Sequence, residues 1–377
     1  MLFSILLAPP NTGYFMQPSL RGDNLVFVSQ GDLWQVNAKG GVAHALTGHT
    51  APVGLPALSP DGRTVAFSGT YEGPQEVYTM SLDGELPRRL TYEGGMRVVG
   101  WTPDGRVMAA TRNRSGLPAP KIVSIEPTSR RQVVAPLSQA ADGCYDPTGK
   151  TLFFTRFPFQ GSHAKRYQGG TAQGIWKYVA GAPEAVNLTK SFAGTSKAPM
   201  WWKGRVYFLS DRDGTMNLWS MDENGGGLKQ ITKHSGWDIQ SASLDNGRVA
   251  YQLGADLHLV DLATAADQKL QISLAGDFET TRERWIKTPM GYLTSWDVSP
   301  NGDRIALTSR GQVFVAPTEP GRIVQGTRKT GVRQRNAIFM PDGKSFLALS
   351  DQTGEMEWWR FPANGVGTPE QITSGAQ

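Results

Sequence analysis

The sequence holds a single cysteine, Cys144, so an internal disulfide is excluded. Beside Tyr145 at a predicted strand end, Cys144 reads as a small buried residue rather than a nucleophile. The five histidines, His44, His49, His163, His234 and His258, form no His-x3-His or Cys/His ligand pattern, which leaves metal coordination unsupported. Nothing approaches the roughly 18 apolar residues of a membrane span. The apolar run Leu2–Ala8 has seven residues and no basic segment before it, so it reads as a frayed start or as the remnant of a signal peptide. A disulfide-free chain suits the cytoplasm, with the periplasm as the alternative if Leu2–Ala8 is such a remnant. Charge of either sign is never concentrated. The net charge is +5, and the largest basic cluster is Arg328-Lys329 with Arg333 and Arg335. Nucleic-acid binders gather such residues on one face, so no nucleic acid is expected as a partner. No stretch carries a helical period with caps.

What the 377 residues do hold is turns and aromatics: 44 Gly, 24 Pro and 11 Trp, with no collagen-like period. The clearest stretch is Ser210–Gly226, SDRDGTMNLWSMDENGG, nearly repeated at Ser350–Gly365, SDQTGEMEWWRFPANG. Trp359 stands where Trp219 stood, and Asp351 where Asp211 stood. Arg212 and Asp213 give way to Gln352 and Thr353, which marks the frame as structural and the charges as local.

Eight such units follow one another. Each opens with a turn of the Pro-Asp-Gly kind, whose glycines are Gly22, Gly62, Gly105, Gly149, Gly204, Gly247, Gly302 and Gly343, at gaps of 40, 43, 44, 55, 43, 55 and 41 residues. Proline presets the first turn position and glycine takes the positive φ. A continuous apolar strand follows each turn, for example Leu25–Val28, Val206–Leu209 and Phe346–Leu349, as expected of strands buried on both faces. A partner strand comes next, centred on Trp34, Tyr78, Val123, Trp176, Trp219, His258, Phe314 or Trp359. Five units close on Leu46-Thr47, Leu90-Thr91, Leu188-Thr189, Ile231-Thr232 and Ile372-Thr373. A period of about 40–45 residues built from short strands predicts an all-β chain, a β-propeller whose recurrent aromatics pack between neighbouring sheets.

The two long gaps carry an insertion, Arg156–Gly174, and a charged stretch, Ser273–Leu293, read as a linker. The expected organisation is a leader at 1–12, a six-bladed propeller at 13–272, the linker at 273–293, and the first two blades of a second, incomplete propeller at 294–377. Six blades close a ring, whereas two leave open sheet faces. A single eight-bladed ring is the reading that the linker opposes.

The six-unit ring, the RYQGGT segment (Arg166–Thr171) with Ile175-Trp176 after it, and the passages Asp297–Pro317 and Gly331–Glu355 resemble the N-terminal region of the tricorn proteases. The likeness runs through nearly the whole chain from Tyr14. The Pro-Asp-Gly unit alone is unspecific, because TolB and prolyl-oligopeptidase propellers share it; RYQGGT in the fourth unit is more specific. The resemblance implies a six-bladed propeller, then a seven-bladed one, then a catalytic region with a PDZ-like domain and a serine nucleophile. It implies work on oligopeptides, which the propellers admit and release. The catalytic residues would then lie beyond Gln377, and no residue here inherits their roles. The partners implied are oligopeptides and other subunits of a homo-oligomer. The family's best-known form anchors the peptide carboxylate with adjacent arginines in the loop before the third unit's turn. Here that loop reads YEGGMRVVGWTPDG and offers only Arg97, while the pair Arg88-Arg89 lies on the preceding strand. The alternative is a TolB-like propeller serving as a protein-binding scaffold.

Two local motifs fail their tests. Gly194-Thr195-Ser196-Lys197-Ala198 is wrong at its last position for a nucleophile elbow, and no helix follows. Gly143–Thr151, GCYDPTGKT, has one residue too many for a phosphate loop and is the fourth unit's own turn. No cofactor is expected. The candidate substrate-channel residues are Arg97, His163, Arg166, Tyr167, Gly169 and Gly170. Adjacent glycines expose amides that can hold an anion, and arginine offers a two-pronged fork to a carboxylate. The competing reading of RYQGGT is a structural loop packed against another domain.

Overall fold

The computed structural model describes residues 13–48, 51–276 and 285–375. The expected leader, 1–12, lies outside the described residues. Among those described, the regular structure is eight β-sheets and one short helical turn, Pro289–Tyr292. The chain divides into two compact units, Met1–Thr281 with six sheets and Arg282–Gln377 with two.

The first four strands of each sheet form an antiparallel meander, and the second sheet shows how the sequence makes one. Its strands are Val53–Leu58, Thr64–Gly69, Glu76–Ser81 and Arg88–Arg89. In the first turn Gly62, at φ +72°, donates its amide to Ser59 O at 2.9 Å. Ser59 Oγ donates to Asp61 Oδ1 at 2.5 Å and accepts from the Thr64 amide at 3.0 Å. Thr102 with Asp104, and Ser299 with Asp303, rebuild this arrangement in the third and seventh sheets. The second strand is buried on both faces: Val65, Ala66 and Phe67 are fully enclosed. Burying Val65 or Phe67 stabilises by about 1.5–3 kcal/mol each.

The Leu-Thr closures have a common cause. In the second sheet Thr91 Oγ1 donates to the enclosed carboxylate of Glu76 at 2.5 Å and accepts from the Val77 amide at 2.9 Å. Glu76 also takes bonds from Arg89 and from the Gly94 amide. Asp32 with Thr47, Asn217 with Thr232, Gln312 with Thr327, and Glu357 with Thr373 repeat the pairing. The threonine therefore satisfies a polar side chain and a backbone amide inside the sheet, where an unpaired group would cost about 1–3 kcal/mol.

In the first unit each sheet's first strand forms one edge of the sheet and lies against the first strand of the next. The succession returns to its start: Ile239–Asp245 of the sixth sheet lies against Met16–Arg21 of the first. Leu20 donates its amide to Ser243 Oγ at 2.9 Å, and Arg21 pairs with Asp245 at 2.8 Å. Elsewhere Leu58 N reaches Ser19 Oγ at 2.9 Å, and Trp101 Nε1 reaches Ala57 O at 2.8 Å. Most of these inner strands bulge, with Gln17, Leu55 and Ala198 at φ of 51–53°.

The stretch read as a linker begins differently. Ile272–Ala275 is a strand that pairs in parallel with Gly41–Ala45, the fourth strand of the first sheet. Ile272 and Leu274 alternate inward and join the core around Phe27 and Trp34. The alternation is only four residues long and runs straight into the charged stretch that follows it.

In the second unit the two sheets share a core of Ala306, Val313 and Val315 with Phe339, Phe346 and Phe361. Phe339 N donates to Asp297 Oδ2 at 2.7 Å. Trp296, on the first strand Leu293–Val298, is 64% exposed.

Candidate functional site

The insertion at 156–174 gathers polar groups around one end of the first unit's inner strands. It is knitted internally. Gln160 Nε2 donates to Ser162 O and Ala164 O at 2.8 and 3.0 Å, Thr171 Oγ1 donates to Gln160 O, and Gln173 Nε2 donates to Phe157 O at 2.8 Å. It is also tied to its neighbours. Thr195 Oγ1 donates to Gln160 Oε1 at 2.6 Å, Arg166 Nε donates to Gly214 O at 3.1 Å, and Lys165 Nζ pairs with Asp238 at 3.2 Å. A segment leaving the fourth sheet thus spans the fifth and reaches the loop before the sixth. Phe159 of the insertion and Trp237 of that loop are both exposed.

A cleft of about 270 Å³ lies where the insertion meets the fifth sheet, lined by Arg166, Asp211, Arg212 and Asp213. Its acids are already committed. Asp211 accepts from the Thr195 amide at 2.9 Å, and Asp213 accepts from Asn217, Gln230 and the Thr215 amide. Burial pushes the Asp211 carboxyl up. Burial also lowers Arg212, whose guanidinium stacks over Phe192, Phe208 and Trp219 at 4.8, 5.3 and 6.0 Å.

Four consecutive inner strands bring further charges to this end of the unit. Arg97 opens the first strand of the third sheet, Asp142 that of the fourth and Lys197 stands second in that of the fifth, while Asp238 immediately precedes that of the sixth. Burial pushes the Asp142 carboxyl up, against the pull of the Arg97 guanidinium, the Gly143 amide and the Lys197 ammonium. Asp142 itself is half-buried. Burial pushes Lys197 down, against Asp142, Asp238 and Asp211. Arg97 Nε is enclosed without a hydrogen-bond partner. Beside Asp142 only glycine fits, because a Cβ on Gly143 would meet Phe153 O at 2.5 Å. The result is an acid held between two bases with no direct ion pair to either among the described residues.

The residues expected from sequence therefore divide. Arg97 belongs to the inner-strand group. Arg166 lines the first cleft, and Gly169 and Gly170 line a second one beside it. Tyr167 turns back on its own loop, its hydroxyl 3.0 Å from Thr171 Oγ1 and close enough to Gly169 to leave no room for a Cβ there. His163 is exposed and rests against Phe159, ring centroids 5.0 Å apart. Arg88 and Arg89 stay on the outermost strand of the second sheet, where Arg89 is held by Glu72 and Glu76. Asp142 and Lys197 were missed as site residues. The signal was their common offset at the start of successive inner strands, which shows only once the units are aligned. Cys144 packs against the core around Phe153 and Phe208, and burial pushes its thiol up, which suppresses thiolate chemistry. Among the described residues no group of three His, Cys, Asp or Glu is placed to hold a metal ion. No described helix is long and apolar enough to cross a membrane.

Residues 12–266 match the model of the tricorn protease N-terminal beta propeller domain. The chain is 32% identical over 361 residues to tricorn protease homolog 2 of Streptomyces coelicolor, covering 91% of this chain and 30% of that protein. It is 29% identical over 382 residues to tricorn protease homolog 1 of the same organism, covering 97% of this chain and 35% of the relative. It thus spans about a third of the length of the relatives it matches. Among solved structures, that of the tricorn protease superposes with a TM-score of 0.78 at 21% identity, over 97% of this chain and 36% of the other. With its four-stranded sheets, its β-propeller fold and the family model matched across most of its length, the chain belongs to the tricorn protease family.

Proposed function

We propose that this chain is the non-catalytic propeller region of a tricorn-like serine protease that degrades oligopeptides. The six sheets of the first unit are the blades of one complete propeller, and the two sheets of the second unit open another. The region serves as a gate for peptides entering or leaving and as a surface on which further subunits of a homo-oligomer assemble. The observation that carries this reading is the cyclic succession of inner strands, with Arg97, Asp142, Lys197 and Asp238 around one end. A passage with both signs of charge can offer a partner to a peptide's ammonium and to its carboxylate in turn.

Two measurements test it. The purified chain, incubated with fluorogenic peptides and a serine-directed covalent probe, should show neither hydrolysis nor labelling; robust turnover with labelling overturns the assignment. In the full-length peptidase, Gln240→Cys places a thiol on the exposed side of an inner strand. Attaching a bulky maleimide there should slow peptide turnover while leaving the reactivity of the catalytic serine toward a small probe unchanged. Undiminished turnover after complete labelling overturns the gate.

A further inference from the structure

The second cleft beside the insertion has a volume of about 340 Å³ and differs in kind from the first. Its charged lining residues are Arg156 and Lys190, and no carboxylate lines it. Its walls are the rings of Phe157, Trp176 and Phe192, and Gly170 presents open space where a Cβ would stand. Arg156 is fixed in place. Its Nε and Nη2 both donate to Gln139 Oε1, the former at 2.9 Å, and its guanidinium lies 5.3 Å from the Trp176 ring and 5.7 Å from that of Phe157. That leaves Nη1 without a partner among the described residues. Lys190 likewise makes no hydrogen bond or ion pair there. By contrast Arg21, Arg89, Arg114 and Lys165 all reach carboxylates.

We propose that this cleft binds a carboxylate that carries an aromatic or branched aliphatic group. The carboxylate lies between Arg156 Nη1 and Lys190 Nζ, and the apolar group lies against Trp176 and Phe192. The chemistry follows from what is present. Two cations without a counter-charge favour an anion. A guanidinium held by Gln139 and stacked on rings has already lost the freedom that binding would remove. A volume near the low end of ligand clefts, roughly 300–1,000 Å³, suits a ligand the size of one or two residues. The ligand is either a free small carboxylate or the C-terminus of a peptide, and the site is independent of whether the chain gates a peptidase.

Titration calorimetry on the whole chain tests this with N-acetylphenylalanine, its C-terminal amide, inorganic phosphate, and a pentapeptide ending in phenylalanine. The acid should bind at least about tenfold more tightly than the amide, as expected for a charge-assisted hydrogen bond, and more tightly than phosphate. Lys190→Ala, at an exposed position, should weaken the acid several-fold, and Arg156→Gln should abolish the preference for acid over amide. Both variants are checked by circular dichroism, and Lys190→Ala alone suffices if the other fails to fold. A pentapeptide that binds better than N-acetylphenylalanine assigns the site to peptide termini; equal binding assigns it to small carboxylates. The proposal is overturned if acid and amide bind alike, if phosphate binds as well as the acid, if no carboxylate binds, or if the folded Lys190→Ala variant binds as the parent does.

Discussion

The fifth and eighth sheets repeat one frame around different chemistry. In both, an aspartate accepts the amide that enters the sheet: Asp211 from Thr195 at 2.9 Å, and Asp351 from Arg333 at 2.7 Å. In both, a glycine three residues on donates back to it, Gly214 to Asp211 O and Gly354 to Asp351 O, each at 2.9 Å. In both, the indole N–H of the repeated tryptophan, Trp219 or Trp359, is enclosed without a partner. Above this frame the sheets part. Arg212 covers Trp219 and Phe208 and donates to Ser210 Oγ at 3.1 Å, and Ser210 Oγ in turn donates to Thr195 O at 2.9 Å. The eighth sheet has Gln352 in that place, and the matching hydroxyl, Ser350 Oγ, is enclosed without a partner. Across the ladder, Trp219 faces Phe208 while Trp359 faces Ala348. The frame is what makes a blade; the charge is what makes one blade unlike another.

Breaking the frame should cost most. Trp219→Ala removes a ring from the core around Phe153 and Phe208 and should lower stability by about 3–5 kcal/mol, read by urea unfolding. Trp359→Ala, opposite an alanine, should cost less. Equal losses would mean that the facing residue does not matter. Next comes the cap. Arg212→Ala should cost about 1–2 kcal/mol through lost stacking on three rings. Gln352→Ala should change stability by less than about 0.5 kcal/mol. Gln352→Arg should stabilise the second unit if the cap transfers, giving Ser350 Oγ the donor it lacks.

Gentler than Trp219→Ala is Trp219→Phe, which keeps most of the ring and deletes an N–H that has no partner among the described residues. It should cost less than about 1.5 kcal/mol, and a larger loss would show that the indole nitrogen has a bond in solution. The last effect is a slope against pH. The folded-state pKa of Asp211 is raised by burial, so the unfolded chain loses this proton first as pH rises. Its contribution is therefore destabilising above the folded pKa, and stability falls with rising pH between the unfolded value, near 3.9, and the higher folded one. Asp211→Asn keeps an acceptor for the Thr195 amide and should flatten that slope in urea titrations between pH 3.5 and 7. A slope unchanged by the substitution would mean that Asp211 titrates as it does in the unfolded chain.

Much of the fold was legible because turns and strands are local. Gly62 and its counterparts mark places where a positive φ is needed, and continuous runs such as Val206–Leu209 mark strands covered on both sides. The Leu-Thr endings were visible as marks, but their meaning was not. Thr91 earns its place through Glu76, fifteen residues earlier, and sequence alone does not say that those side chains meet. The site was harder for the same reason on a larger scale. RYQGGT stood out as an interruption, and Arg166, Gly169 and Gly170 do line clefts. Tyr167, however, spends its hydroxyl on its own loop. Arg97, Asp142 and Lys197 come together only because three inner strands share one end of the unit. Gln139, which orients Arg156, lies seventeen residues before it in a loop that no motif marks.

The parallel pairing of Ile272–Ala275 with Gly41–Ala45 has a consequence in time. The paired residues are 231 positions apart, Gly41 with Ile272, and no described residue nearer in sequence pairs with that edge. At about 5–20 residues per second, a ribosome takes on the order of ten to fifty seconds to deliver the second strand after the first. Throughout that interval the first sheet presents a bare edge with unpaired amides and carbonyls, the kind of edge that recruits strands from other chains. Val42, with its side chain more than half exposed even in the finished sheet, sits on that edge. The edge of the first sheet is thus covered only when synthesis of the first unit is nearly complete.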